Sequence, residues 1–214
     1  FSLMYAYSEN FILVLSHDEV VHLKCSMLGK MPGDKDDKFS NLKLAYAYMC
    51  GHPGKKLLFM GQEFGQWNEW SEERELDWYL LDDKQMKDFT KKCMLLYKNY
   101  RCLYETDYRP EGFRWINAND KDNSVYSFIR ISPDNNKHLL FVLSFTPVER
   151  NKFRIGAPLK GKYKLVLGSN EDIQKKTLTA VKGDCDGYKQ SLLIDLPAYG
   201  IAVYEFSGDL GIDD

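Results

Sequence analysis

Two rhythms of apolar and polar positions divide this chain. Up to about residue 107 the apolar residues come in short unbroken runs or at spacings of three and four. Beyond it they alternate with polar ones. The run Phe11–Leu15 (FILVL) breaks off abruptly at Ser16-His17-Asp18-Glu19. A short continuous apolar run fits a parallel strand buried on both faces. Phe39, Leu42, Tyr46, Met49 and Cys50 then recur at three and four and predict a helix over 37–50. Asp36 or Asp37 is expected to cap it, with Gly51 and Pro53 to stop it. Lys56–Met60 reads as a second short strand. Strand, helix and strand in this order predict a βαβ unit, a parallel pair with a right-handed crossover.

Other segments of the first half follow the same logic. Residues 1–9, with Leu3, Tyr5 and Tyr7, read as the tail of a helix. Met31-Pro32-Gly33-Asp34 is a turn signal. Residues 82–104 predict a long amphipathic helix whose core stripe is Met86, Phe89, Cys93, Leu96, Tyr100 and Leu103; Asp82 and Gln85 have the spacing of a capping box. Between the second strand and this helix lies the polar stretch 61–81, which holds Glu63, Trp67, Glu69, Trp70, Asp77 and Trp78. A loop so long is usually functional or disordered, and its tryptophans argue against disorder. Exposed aromatics stack on sugar rings and carboxylates bond sugar hydroxyls. Trp70 and Trp78 pinning the loop to the body of the protein is an equal alternative.

Past Asp107 the period becomes two. Strands are expected at 113–116, 125–131, 138–145, 152–155, 162–167, 191–196 and 201–206, with a hairpin turn at Pro133-Asp134-Asn135-Asn136 and a polar insertion over 168–187. Short strands with frequent turns predict an antiparallel β-sandwich. The expected fold class is α/β followed by all-β, in segments 1–107 and 108–214.

Composition narrows the partners. A net charge of −2 gives no electrostatic case for nucleic acid or an anionic membrane. No apolar run reaches the length of a membrane span, and no signal peptide is visible. The five cysteines are odd in number and include no C-x-x-C, which argues against a disulfide framework or zinc ribbon and favours a reducing, cytoplasmic compartment. The sequence opens on Phe1 in mid-pattern, so it is expected to be cut from something longer.

The candidate chemistry sits at His17-Asp18-Glu19-Val20-Val21-His22. A zinc helix needs His-Glu-x-x-His, but the two histidines here are five apart, about 140° around a helix. A metal site is therefore not expected. What remains is an acidic strand end carrying a His-Asp pair, or a polar strand end with a structurally satisfied histidine.

The whole motif, N-F-I-L-V-L-S-H-D-E-V-V-H, resembles the fourth conserved stretch of the alpha-amylase family, in the form borne by its glucan-branching members. Two further blocks agree: G-H-P-G-K-K-L-L-F-M-G-Q-E-F at Gly51–Phe64, and S-F-T-P-V-E-R at Ser144–Arg150 with F-R-I-G at Phe153–Gly156. The sequence departs from the family pattern at Val14, where Pro is usual, and at Leu23, where Gly is usual.

The resemblance implies the last two βα units of an incomplete (β/α)8 barrel, strands seven and eight, followed by the C-terminal β-sandwich. It implies a parent that cleaves α-1,4 glucan of the glycogen or amylose type and rejoins the segment through an α-1,6 bond, without a cofactor. Asp18 would be the transition-state stabiliser and His17 its partner on the ring hydroxyls; Glu63 and Trp67 would bind substrate. The nucleophilic Asp and the acid/base Glu of such a retaining mechanism would lie before Phe1, so the chain alone is expected to be inactive. Exposed barrel strands would invite self-association. Another alpha-amylase-family hydrolase and a non-catalytic glucan-binding module are the alternatives.

Overall fold

A computed structural model of the chain describes residues 3–4, 6–10, 12–169 and 177–211. The expectations placed on Phe1, Tyr5 and Phe11, and on residues 170–176 of the polar insertion, lie outside the described residues.

The βαβ unit forms as its pattern requires. Strands β1 (Ile12–Leu15) and β2 (Lys55–Leu58) pair in parallel, from Ile12 opposite Lys55 to Leu15 opposite Leu58. Between them run the short helix α1 (Met27–Lys30) and the long helix α2 (Lys35–Gly51). The cap of α2 is Asp34, two or three residues earlier than expected: its carboxylate accepts from the Asp37 amide at 3.0 Å. Asp36 and Asp37 instead fill the first turn, where negative charge favours the helix dipole.

Helix α3 (Gln85–Asn99) follows. Asp83, not Asp82, meets its first residue, accepting from the Gln85 amide at 3.3 Å and side chain at 3.2 Å. The helix stops short of 104 and gives way to a 3-10 turn at Arg101–Leu103. The expected helical tail at the start is also absent, since the described residues of 3–9 form turns and bends.

The described residues of the second half form nine strands: β3 (Phe113–Asn117), β4 (Val125–Arg130), β5 (His138–Ser144), β6 (Arg150–Ala157), β7 (Lys162–Gly168), β8 (Thr177–Thr179), β9 (Val181–Cys185), β10 (Tyr188–Leu196) and β11 (Ile201–Phe206). They make a six-stranded sheet, β3-β4-β5-β11-β7-β8, and a three-stranded one, β6-β10-β9. Strands β8 and β9 fall inside the region read as a polar insertion. They run along sheet edges with exposed Thr177, Thr179, Val181 and Lys182, so they carry little apolar alternation.

The six-stranded sheet is buried on both faces. Ile129, Leu140, Val142, Ala202 and Tyr204 point to the smaller sheet, into a core shared with Ile155, Leu192 and Ile194. Phe128, Phe141, Leu143, Ile201 and Val203 point the other way and pack with Leu42, Tyr46, Cys50, Met86, Phe89 and Cys93 of α2 and α3. This is why β5 reads H-L-L-F-V-L-S without a polar break although its pairing is antiparallel. Gly51 makes the close approach possible. A Cβ there would stand 2.7 Å from the Phe141 ring and 2.8 Å from that of Phe128.

The expectation that β1 is buried on both faces is corrected. Leu15 and Leu58 pack against the helical core, whereas Ile12 is 49% and Val14 47% exposed. The two-stranded sheet has the helices on one side only, and no other described strand pairs with it.

Candidate functional site at the ends of the parallel strands

Where β1 ends, the chain turns into a single 3-10 turn, His17–Glu19, because Ser16 caps it: its Oγ accepts from the Asp18 amide at 3.3 Å. His17 Nε2 lies 3.2 Å from Asp18 Oδ1, and the two side chains are 58% and 71% exposed. The carboxyl end of β2 lies alongside. The Phe59 amide donates to Leu15 O at 3.1 Å, and the Phe59 ring stands 6.1 Å from that of His17. The next turn, Gln62–Phe64, carries Glu63 with its side chain exposed. It is anchored from below by Tyr46, whose hydroxyl donates to Gln62 O at 2.9 Å. Burial first, and then the charge of Glu63, hold that phenol far above its ordinary pKa, so it remains a donor.

The stretch 61–81 is not loose. Asp77 is buried and accepts from the Trp67 amide at 3.0 Å and from the Asn68 amide and side chain, both at 2.8 Å. Trp70 packs edge-on against Phe59 at 5.4 Å and its amide donates to Val20 O, so this tryptophan pins the loop. Trp67 and Trp78 present 40% and 52% of their surface.

The same stretch also clamps the segment after Asp18. Glu69 takes the Leu23 amide on Oε1 at 2.7 Å and the Cys25 amide on Oε2 at 3.1 Å. Ser26 Oγ donates to Trp67 O at 2.8 Å. Between these bonds His22, Leu23 and Cys25 all lie in the left-handed region, at φ 59, 65 and 64°. From within the loop Lys24 Nζ donates to Asp18 O at 2.7 Å, and from the end of α1 Lys30 Nζ donates to Glu19 O.

The structure thus brings His17, Asp18 and Glu63 to one end of the parallel pair. Sequence reasoning read Glu69 and Asp77 as loop carboxylates of the kind that bond sugar hydroxyls, whereas here they bond the loop itself. Most of their partners are backbone amides, which leave no pattern in a sequence. Chemically the site offers an exposed imidazole and carboxylate side by side at the end of β1, with the exposed Glu63 carboxylate on the turn after β2.

Residues 115–207 match the model of the alpha amylase C-terminal all-beta domain. Two solved structures have the same fold at low identity. An alpha-amylase from H. orenii superposes over 91% of this chain and 39% of its own, with a TM-score of 0.57 and 15% identity. A Bacillus licheniformis trehalose-6-phosphate hydrolase covers 92% of this chain and 43% of its own, with a TM-score of 0.60 and 13% identity. Among curated proteins the chain is similar to 1,4-alpha-glucan branching enzymes: it is 51% identical to that of Butyrivibrio fibrisolvens over 96% of this chain and 34% of the relative. To that of Geobacillus stearothermophilus it is 42% identical, over 95% of this chain and 33% of the relative. The chain therefore spans about a third of the length of the curated relatives it matches.

Proposed function

We propose that the whole protein is a 1,4-alpha-glucan branching enzyme, which cleaves an α-1,4 glucan and transfers the segment to form an α-1,6 branch. The observation that carries this is the 51% identity over nearly all of the chain, with the His17–Asp18 pair at a parallel strand end. In this reading residues 1–107 are the last two βα units of a (β/α)8 barrel and 108–214 its C-terminal β-sandwich. A (β/α)8 barrel carries its chemistry at the carboxyl ends of its strands, where His17, Asp18 and Glu63 stand. Asp18 and His17 bond ring hydroxyls of the sugar at the cleavage point. As the ring flattens toward an oxocarbenium ion these bonds strengthen, so they act on the rate more than on binding. Glu63 and Trp67 hold neighbouring sugar units. The nucleophile and the acid/base are supplied by other strands of the same barrel, so the 214-residue chain alone has no turnover. In the 214-residue chain by itself, without the other strands of the barrel, the exposed face of Ile12, Val14 and Leu57 supports association of copies through these strands.

The test is Asp18→Ala in the full-length protein, with α-1,6 linkages in amylose counted by NMR. The expected loss is about 10²–10³ in kcat, and in kcat/KM alike, as for removal of a preorganised group. A variant that keeps most of the wild-type rate would refute the assignment, and branching by the 214-residue chain would refute its dependence on other strands.

A further inference from the structure

We propose that Lys24, and with it Lys30, are positioning residues for the reaction: they hold the backbone of the turn that presents His17 and Asp18, so that the Asp18 carboxylate meets the sugar already in place. The inference rests on the function proposed above, which takes Asp18 to the ring hydroxyls.

The turn His17–Glu19 is weakly fixed by itself. None of its residues is buried. Within it Ser16 Oγ accepts from the Asp18 amide at 3.3 Å, the Glu19 amide donates to Ser16 O at 3.2 Å and the Val20 amide to His17 O at 2.9 Å. So short a 3-10 turn leaves the carbonyls that follow without partners of its own. Three successive carbonyls, of Asp18, Glu19 and Val20, are instead taken by donors from elsewhere in the chain. Lys24 Nζ donates to Asp18 O at 2.7 Å, Lys30 Nζ to Glu19 O and the Trp70 amide to Val20 O at 3.1 Å. These bonds fall on the main chain, so the side chains of His17 and Asp18 stay exposed. Positive charge at the carbonyl end of the turn also offsets the negative charge of Asp18 and Glu19.

The two lysines are themselves held in place. Lys24 stands between Leu23 and Cys25, whose amides both bond Glu69, at 2.7 and 3.1 Å. His22, Leu23 and Cys25 lie in the left-handed region, and Lys24 reaches the carbonyl six residues before it. Backbone in so sparsely populated a region persists only where its surroundings over-determine it. Lys30 is the last residue of α1. That helix is capped by the buried Ser26, whose Oγ accepts from the Gly29 amide at 2.9 Å and donates to Trp67 O at 2.8 Å. Trp67, Glu69 and Trp70 all belong to the stretch after β2. One loop therefore fixes all three supports of the turn at the end of β1.

Exposure decides what these bonds do. Exposed hydrogen bonds in a loop open locally and add little to global stability. A carboxylate that must bond a flattening sugar ring is sensitive to displacement instead: a misplacement of about 1 Å can cost about 10² in rate. The lysines therefore act on kcat and hardly on folding.

The experiment is branching kinetics of full-length Lys24→Met, with α-1,6 linkages in amylose counted by NMR. Methionine keeps the length of the side chain and removes the donor. The expected result is a kcat about tenfold lower, with KM within about twofold of wild type and the urea-unfolding midpoint unchanged. Lys30→Met should behave alike, and Lys24→Arg, which keeps a cationic donor, should retain most of the rate. In an Asp18→Ala background Lys24→Met should cost nothing further, because the carboxylate it positions is gone. Wild-type kcat in a folded Lys24→Met, a loss of rate in step with a loss of stability, or a loss that multiplies with that of Asp18→Ala would overturn the proposal. If Asp18→Ala keeps its rate, the function proposed above falls and this proposal with it. If Asp18→Ala loses its rate and Lys24→Met does not, only this proposal falls.

Discussion

Arg130 and Asp107 form an ion pair with no exposed surface on either side: Nη2 lies 2.9 Å from Oδ1 and both side chains are at 0%. The guanidinium also donates through Nη1 to Gly51 O at 2.9 Å and through Nε to Gly112 O at 3.2 Å. The other carboxylate oxygen accepts from Lys55 Nζ at 3.1 Å and from the Tyr97 hydroxyl at 3.0 Å. The end of α2, strand β2, helix α3 and strand β4 are tied together around one carboxylate. A buried pair is tolerable only when its remaining polar atoms are satisfied in this way.

Removing one member should therefore be severe. Asp107→Ala is expected to lower the urea-unfolding free energy by about 3–5 kcal/mol, since it leaves a buried guanidinium uncompensated. Asp107→Ala combined with Arg130→Met should cost clearly less than the sum of the single changes, because the second removes the charge the first strands. Additive losses would show that the two residues do not act as a pair.

Lys56 gives a pH signature. Its ammonium group donates to His52 O and Gly54 O and lies 5.3 Å from the Tyr97 ring centre. Burial lowers its pKa from 10.5 to about 8, against the opposing pull of Asp107. The folded form thus gives up this proton before the unfolded form does. Below pH 8 the cost of the buried charge is fully present; between about 8 and 10.5 the unfolded chain holds more protons, so this contribution to stability rises with pH. The full span is worth about 3 kcal/mol. Other groups titrate in the same window, so the observable is a difference. Wild-type stability minus that of Lys56→Met, from urea curves, should increase from below pH 8 to above pH 10. A flat difference would mean that Lys56 is hydrated.

The clamp on the loop after Asp18 is testable without any assay of activity. Glu69 holds the amides of Leu23 and Cys25 while three non-glycine residues stand in the left-handed region. Glu69→Ala should speed hydrogen exchange at those two amides by about tenfold or more, the loss of a charge-assisted bond at each. Leu23 is 96% exposed, so Leu23→Gly removes strain without removing packing. It should stabilise the chain by about 1 kcal/mol and slow exchange again in the Glu69→Ala background. Unchanged exchange in Glu69→Ala would show that the loop keeps its shape by other means.

Much of this was written in local pattern. The spacing of Phe39, Leu42, Tyr46 and Cys50 makes α2, the run ending at Leu15 makes β1, and alternation past residue 113 makes most of the sandwich, because each of these depends on neighbours a few residues away. The place of His17 and Asp18 at a strand end followed from the same run breaking off at Ser16. Tertiary structure decided the rest. That β5 is apolar throughout because helices cover its second face, that β8 and β9 exist on sheet edges, and that Asp107 meets Arg130 are all contacts between distant segments. So are the roles of Glu69 and Asp77, which bond backbone amides: any carboxylate in a polar loop looks alike in sequence, and only the folded chain brings particular N–H groups to it. The exposure of Ile12 and Val14 has the same origin, since a strand's own residues specify that it wants two covered faces but not which neighbours are there to cover them.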